Sequence, residues 1–355
     1  MKITNENNNS GIKEIARLAN VAKATVDRVI HNRPGVAKKT KEKIEKIIKE
    51  LDYQPNIFAR RLASRKVLQF ATLIPRVSKE TDFWSAPLQG IDQAGMEIKQ
   101  NGIIIKKYFF DLNSRKSFVE QSKMILKTKP DGVLLAPSFV EESTAFIRSC
   151  KKLAIPYVLI NADIPGQNSL CYIGPDLFHS GYMCAHLINY LVDEGDKILT
   201  VNISSSMEQH HELLRKEEGV KSYFEKNKIT PNLIKTNIEE TSSGSVATAL
   251  SKVLRTHPDT KLILVPNSRV STVAKYLEKQ KSEHILLIGY DFTQENLHYL
   301  DNNIIDFLIC EKPKEQGYKG IMTLYQTLVF DFPVENVHFM PIDIISKENY
   351  KFYRN

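Results

Sequence analysis

The chemistry on offer begins in Val21–Asn32, VAKATVDRVIHN. As a helix from about Ala22 to Ile30, this stretch turns Val26, Val29 and Ile30 inward and Lys23, Ala24, Asp27 and Arg28 outward. A guanidinium on such a face can hold the O6 and N7 atoms of a guanine with two parallel hydrogen bonds. An ammonium can reach a base edge or a phosphate. No bond-making set competes with this reading. There is no GxSxG turn, no P-loop and no dinucleotide glycine pattern, and 15 glycines in 355 residues leave little room for a phosphate cradle. His210 and His211 have no carboxylate or cysteine at metal-ligand spacing. Cys150, Cys171, Cys184 and Cys310 are scattered, as small buried hydrophobes in a reduced, cytoplasmic protein would be. The expectation is a protein with no catalytic residues, no metal and no cofactor.

The charge is unevenly placed. Residues 1–67 hold 16 Lys and Arg against 7 Asp and Glu, while the remainder holds 33 against 34. The whole excess of +8 therefore sits in the first fifth of the chain. That is the electrostatic footprint of a nucleic-acid-binding module joined to a neutral body. The N-terminus MKITNENNNSG lacks the apolar core of a secretion signal, and no apolar run reaches membrane-spanning length, so no membrane role is expected.

Three short helices must position the reading face. Residues 1–10 are Asn-rich, without apolar period, and are expected to be disordered. Ile12, Ile15, Ala16 and Leu18–Ala19 form a first helical stripe. Asn20 follows, a residue that tolerates the left-handed conformation a helix-turn-helix requires. A third helix, about Lys38–Leu51, has the apolar face Ile44, Ile47, Ile48 and Leu51. Such a bundle presents its second helix to the major groove.

In this stretch Ile15-Ala16, Thr25-Val26-x-Arg28-Val29, Pro34-Gly35-Val36, Thr40, Tyr53-x-Pro55-Asn56 and Ala59-Arg60-x-Leu62 resemble the DNA-binding head and hinge of the LacI/GalR repressor family. The resemblance implies a helix-turn-helix domain over 11–56 and a hinge helix or linker over 57–67. It makes Lys23, Ala24 and Arg28 the base-reading positions and places Thr25, His31 and Asn32 for backbone contacts or packing. Asn56 caps the hinge helix, Arg60 neighbours a phosphate, and Leu62 is the wedge that kinks the minor groove. Two hinges must meet to form that wedge, which implies a homodimer on a palindromic double-stranded operator. The chain departs from the family at Ala22 and Ala37, where a helix-capping Ser is usual, and at Asp27. That carboxylate can accept from cytosine N4 or fix the side chain of Arg28 or Lys23.

Beyond residue 68 apolar strands alternate with amphipathic helices. Strands are predicted at Leu68–Ile74, Gly102–Phe109, Gly132–Ala136, Tyr157–Ile160, Ser169–Ile173, Ile198–Ile203, Asn232–Thr236, Leu262–Val265, Leu286–Tyr290 and Phe307–Cys310, with a helix after most of them. The fold class is α/β: a helical head and hinge followed by a body of parallel sheets with helices on both faces. Ligands of such sheets bind beyond the carboxyl ends of the strands.

Phe83-Trp84-x4-Gln89-Gly90, Ile173-Gly174-x-Asp176-x4-Gly181, Gly289-Tyr290-Asp291 and Glu311-Lys312-Pro313-x3-Gly317 resemble the two-lobed periplasmic sugar-binding fold that this family carries as its effector domain. The resemblance splits 68–355 into one lobe of about 68–172 with 292–328 and another of about 173–291 with 329–355. It nominates Phe83, Trp84, Asp163, Arg215, Lys216, Asn267, Asp291 and Glu311 as effector contacts. Lys216 stands where sugar binders usually have Arg, and Arg215 beside it is the alternative. An aromatic ring over the apolar face of a sugar, with Asp, Asn, Glu and Lys on its hydroxyls, suits a carbohydrate. The chain is thus expected to be a transcriptional regulator, acting as a repressor, whose operator affinity follows a bound sugar or polyol. The alternatives are a sugar-binding receptor without a regulatory DNA role, and a regulator whose effector is a nucleobase or phosphorylated metabolite.

Overall fold

The computed structural model describes residues 11–30, 33–51, 53, 67–78, 81–164, 166–204, 211–280 and 285–355. The chain divides into two compact units, Met1–Arg65 and Lys66–Asn355.

The first unit holds α1 (Ile12–Ala19), α2 (Lys23–Ile30) and α3 (Lys38–Glu50). Their apolar stripes meet in a small core of Ile15, Ala16, Ala19, Val26, Val29, Ile44 and Ile47. Asn20 ends α1 in the left-handed conformation, φ 56° and ψ 50°, and its N–H bonds the turn before it. The tight turn into α2 depends on that residue. Ala37 stands at the N-cap of α3 in extended conformation and offers no side-chain acceptor to the first turn. Ala37→Ser should therefore stabilise the head by about 1 kcal/mol. Slower hydrogen exchange of the first α3 amides in the full chain is the check. His31, Asn32, Asn56, Arg60, Leu62, the tail 1–10 and hinge positions 57–66 lie outside the described residues.

The second unit has two six-stranded sheets. One runs β11-β5-β4-β3-β1-β2, from β1 (Leu68–Pro75), β2 (Ile103–Phe110), β3 (Gly132–Leu135), β4 (Tyr157–Ile160), β5 (Cys171–Gly174) and β11 (Val337–Phe339). The other runs β12-β10-β9-β8-β6-β7, from β6 (Lys197–Ile203), β7 (Asn232–Ile238), β8 (Thr260–Leu264), β9 (Leu286–Tyr290), β10 (Phe307–Cys310) and β12 (Asp343–Ile345). Pairing is parallel except that β12 runs antiparallel to β10. The inner strands GVLL and YVLI are buried at every residue, as strands covered on both faces must be. Helices α4 (Ser85–Ile98), α5 (Arg115–Thr128), α6 (Val140–Lys152) and α12 (Pro313–Phe330) pack on the first sheet. Helices α7 (Leu177–Leu191), α8 (His211–Lys226), α9 (Ser243–Thr256), α10 (Val270–Gln280) and α11 (Gln294–Asp301) cover the second.

The lobe boundaries differ from expectation. Residues 292–310, expected in the first lobe, supply α11 and β10 to the second, because β10 pairs with β9 over Phe307–Ile309. Val337–Phe339 pairs with β5 and returns to the first lobe, and Ile173 also belongs there. The chain crosses between lobes after β5, after β10 and after β11.

Each lobe closes one helix pair with two glycines. A Cβ at Gly90 would overlap the carbonyl of Lys314, and one at Gly317 that of Pro87, so α4 and α12 touch backbone to backbone. In the second lobe Gly181 meets the carbonyl of Lys216 and Gly219 that of Phe178, which brings α7 against α8. No described helix is long and apolar enough to cross a membrane.

Candidate functional site

The strand ends of both sheets converge on one cleft. Thr81, Phe83 and Trp84 follow β1, Asn113 follows β2, Ser138 follows β3 and Asn161 follows β4. From the other lobe come Ser204 after β6, Asn267 and Arg269 after β8, Asp291 after β9 and Glu311 after β10. The start of α8 adds His211, Glu212 and Lys216. These residues line a cavity of about 80 Å³.

At its floor lies a buried charged cluster. Lys216, 4 % exposed, points its Nζ at Glu311 Oε2 (3.4 Å) and rests 3.9 Å from the centre of the Tyr290 ring. Burial works against its charge, but Glu311, Asp291 and Glu212 outweigh that and hold its pKa above the ordinary lysine value. Glu311 Oε1 accepts from Ser180 Oγ at 2.6 Å. Asp291 has a positive φ of 75°, which Asp tolerates better than most residues. The buried Asn296 fixes this turn by donating to the carbonyls of Tyr290 and Asp291, both at 3.0 Å. Burial pushes the Asp291 carboxyl well up, against the pull of Lys216 and with help from Glu311 and Glu212. Burial likewise lowers His211 below the usual imidazole value.

The walls are joined across the lobes. Asn161 Nδ2 donates to Glu212 Oε2 (2.8 Å), Thr81 Oγ1 to Ser268 Oγ (2.9 Å) and the Gln294 N–H to Asp82 Oδ2 (3.4 Å). Phe83 is half-buried, with Trp84 set edge-on behind it at 5.1 Å between ring centres.

Of the nominated effector residues, Phe83, Trp84, Lys216, Asn267, Asp291 and Glu311 line this space. Trp84 is 4 % exposed and also belongs to the first-lobe core. Asn267 spends its amide on its own lobe, donating to the Ile203 carbonyl at 2.9 Å and accepting from the Arg269 N–H. Arg215 is not in the cleft: it pairs with Glu218 and lies over the ring of Phe178. Asp163 is not in it either, standing 3.7 Å from His211 at the rim. Asn161, Glu212 and Arg269 escaped the sequence reading. Asn161 carried a signal, because an Asn just beyond a strand suits the left-handed turn found there (φ 70°).

On the head, Lys23, Ala24 and Arg28 are exposed along α2, and Thr25 and Asp27 are half-buried. Asp27 Oδ2 pairs with Arg33 Nη1 at 3.3 Å, a partner the spacing did not suggest.

Comparison with known proteins covers both units. Residues 11–56 match the bacterial regulatory proteins of the lacI family, and residues 70–330 match the periplasmic binding protein domain. Catabolite control protein A of Priestia megaterium is 25% identical over 334 residues, 86% of this chain and 97% of that protein. The NTD biosynthesis operon regulator NtdR of Bacillus subtilis is 31% identical over 187 residues, 52% of this chain and 53% of NtdR. A Bacteroides fragilis structure described as a LacI transcriptional regulator superposes with a TM-score of 0.77 at 27% identity, covering 81% of this chain and 100% of its own. A Burkholderia graminis solute binding protein shares the fold at 15% identity and a TM-score of 0.72, over 82% of this chain and 99% of its own. With a helix-turn-helix head and a two-lobed binding body each matched in its own right, the chain belongs to the LacI family of DNA-binding transcriptional regulators.

Proposed function

We propose that this regulator is a cytoplasmic repressor that binds a palindromic operator as a homodimer, and that a neutral sugar or polyol in the cleft sets its affinity. The observation that carries the effector reading is the pairing of a half-buried Phe83 with a buried polar floor of Lys216, Asp291 and Glu311. An aromatic face and fixed hydrogen-bonding groups are what a pyranose needs. A neutral ligand is favoured because the charge of Lys216 is already met by Glu311, while Glu212 and Asp291 add further carboxyl groups. Arg269 is a second cation of this lining, set against the three carboxyl groups of Glu212, Asp291 and Glu311.

Binding would favour one arrangement of the lobes, and the head of each protomer would follow. The test is a thermal-shift screen of the full chain against monosaccharides, polyols, nucleosides and sugar phosphates, with gel shifts on any hit. A true effector at a hundred times its Kd stabilises the folded body by about 2.7 kcal/mol and changes operator affinity. Stabilisation by nucleosides or sugar phosphates alone would replace the sugar reading with its rival.

On the DNA side, Lys23, Ala24 and Arg28 are the base contacts, Thr25 and Asp27 flank them, and His31, Asn32, Asn56, Arg60 and Leu62 complete the interface. Arg28→Ala should weaken the best operator by about 1–3 kcal/mol and relax base preference at one position of each half-site. Lys23→Ala should instead weaken all sequences alike if its contact is to phosphate. Selection from a randomised DNA pool separates the two outcomes.

A further inference from the structure

The second crossing between lobes runs from β10 through Glu311-Lys312-Pro313 into α12. Lys312 has a positive φ of 55°, at the point where the chain turns from one lobe to the other. Its ammonium is held by three groups from beyond β11. The Tyr353 ring centre is 3.9 Å away, the Arg354 carbonyl 2.6 Å and Asp343 Oδ2 3.4 Å. One residue further, Asn355 Oδ1 accepts the Lys314 N–H at 3.3 Å, so a second-lobe segment caps a first-lobe helix. Tyr353 also packs on Phe292, with ring centres 4.6 Å apart. Phe292 follows Asp291 in sequence and Lys312 follows Glu311. One tyrosine thus touches the residue after each of the two buried carboxyls of the cleft.

We infer that Tyr353 and Lys312 are a positioning pair for the effector cleft: they fix the second crossing, and with it the placement of Asp291 and Glu311 and the closure of the lobes. This rests on the effector reading of the cleft, although its test does not need the effector. A cation over a ring in a partly desolvated site is a directional contact, so the pair specifies one backbone path at the crossing. Phe292 and the Tyr350–Asp301 hydrogen bond (2.9 Å) anchor the same segment to the second lobe. The segment can therefore restrain the hinge without moving itself.

Trp84 is the sole tryptophan and lines the cleft at 4 % exposure, so its fluorescence reports closure directly. The experiment uses acrylamide quenching of the full chain, well below the unfolding midpoint, for Tyr353→Ala, Lys312→Met and Tyr353→Phe. Removing the ring or the charge should raise the quenching constant about twofold or more, a modest share of what such a contact is worth. Tyr353→Phe keeps the ring and should retain the parent value. Binding of any monosaccharide found by thermal shift should weaken in the same order, with operator binding in its absence intact. Parent-like quenching in both Tyr353→Ala and Lys312→Met, at whatever cost in stability, would reduce the pair to ordinary packing and overturn the inference. Raised quenching with no sugar bound by the parent protein would uphold the pair and overturn the effector reading instead.

Discussion

Lys216→Met should cost the body about 3–5 kcal/mol of stability, because it strands a buried carboxylate without its counter-charge. Glu311, Asp291 and Glu212 all lean on that one ammonium, and Lys216 and Glu311 are both about 95 % buried. Methionine fills much the same volume, so the loss would be electrostatic rather than a cavity. Denaturant unfolding followed by circular dichroism measures it. Adding Glu311→Leu to the same chain should recover a large part of the loss, since removing both partners of a buried pair is far cheaper than removing one. The deficit should also shrink on acidification. A carboxyl whose folded pKa is raised, as that of Asp291 is, contributes its stability below its unfolded pKa and loses it as the pH climbs through the folded value. Without Lys216 that folded value rises further, so the penalty is largest at neutral pH. A variant equally destabilised at pH 7 and near the ordinary Asp pKa would show that charge is not the cause.

Gly181→Ala is expected to cost about 3 kcal/mol, the upper end of the overpacking range. The new methyl would overlap the carbonyl oxygen of Lys216, and neither a helix backbone nor its partner can rotate away as a side chain would. Helix α8 must shift, and it carries Glu212 and Lys216 into the cleft. Effector response should therefore fall together with stability. Gly244→Ala supplies the contrast. It lies in the first turn of α9 with nothing within 4 Å of its Cβ position, so the change should stabilise by about 0.5–1 kcal/mol through the unfolded chain. Thermal unfolding of the two variants should move in opposite directions; movement in the same direction would refute the close-approach account.

Much of this architecture was legible in the residues. Asn20 marks the head's turn because few other side chains sit comfortably there, and the structure puts it at φ 56°. The ten longer strands stood out as apolar runs between amphipathic helices. Val337–Phe339 and Asp343–Ile345 did not, since three residues carry no period. Their absence helped misplace the lobe boundary. Which sheet β10 joins is decided by its pairing with β9 and β12, and nothing local in Phe307–Cys310 records it. The cleft was legible by residue type more than by position. On α8 the buried face is Leu213, Lys216, Gly219, Val220, Tyr223 and Phe224. That spacing selects Lys216 over Arg215 without any resemblance, because neighbours on a helix point about 100° apart. Asp163 was nominated by the resemblance, whereas the turn at Asn161 gives the cleft the two residues before it.

The glycine-tight pairing of α4 with α12 also bears on how the chain is made. The first sheet has five of its six strands once residue 174 has emerged, yet the helix that covers Gly132, Leu134 and Ile160 ends only at Phe330. At ribosomal rates that interval lasts roughly 8–30 s. Throughout it, one face of an apolar parallel sheet waits while an entire second lobe is translated. The same interruption makes the first lobe's contacts distant in sequence, which slows folding. This half of the body is where chaperone dependence and loss to aggregation should concentrate in the growing cell.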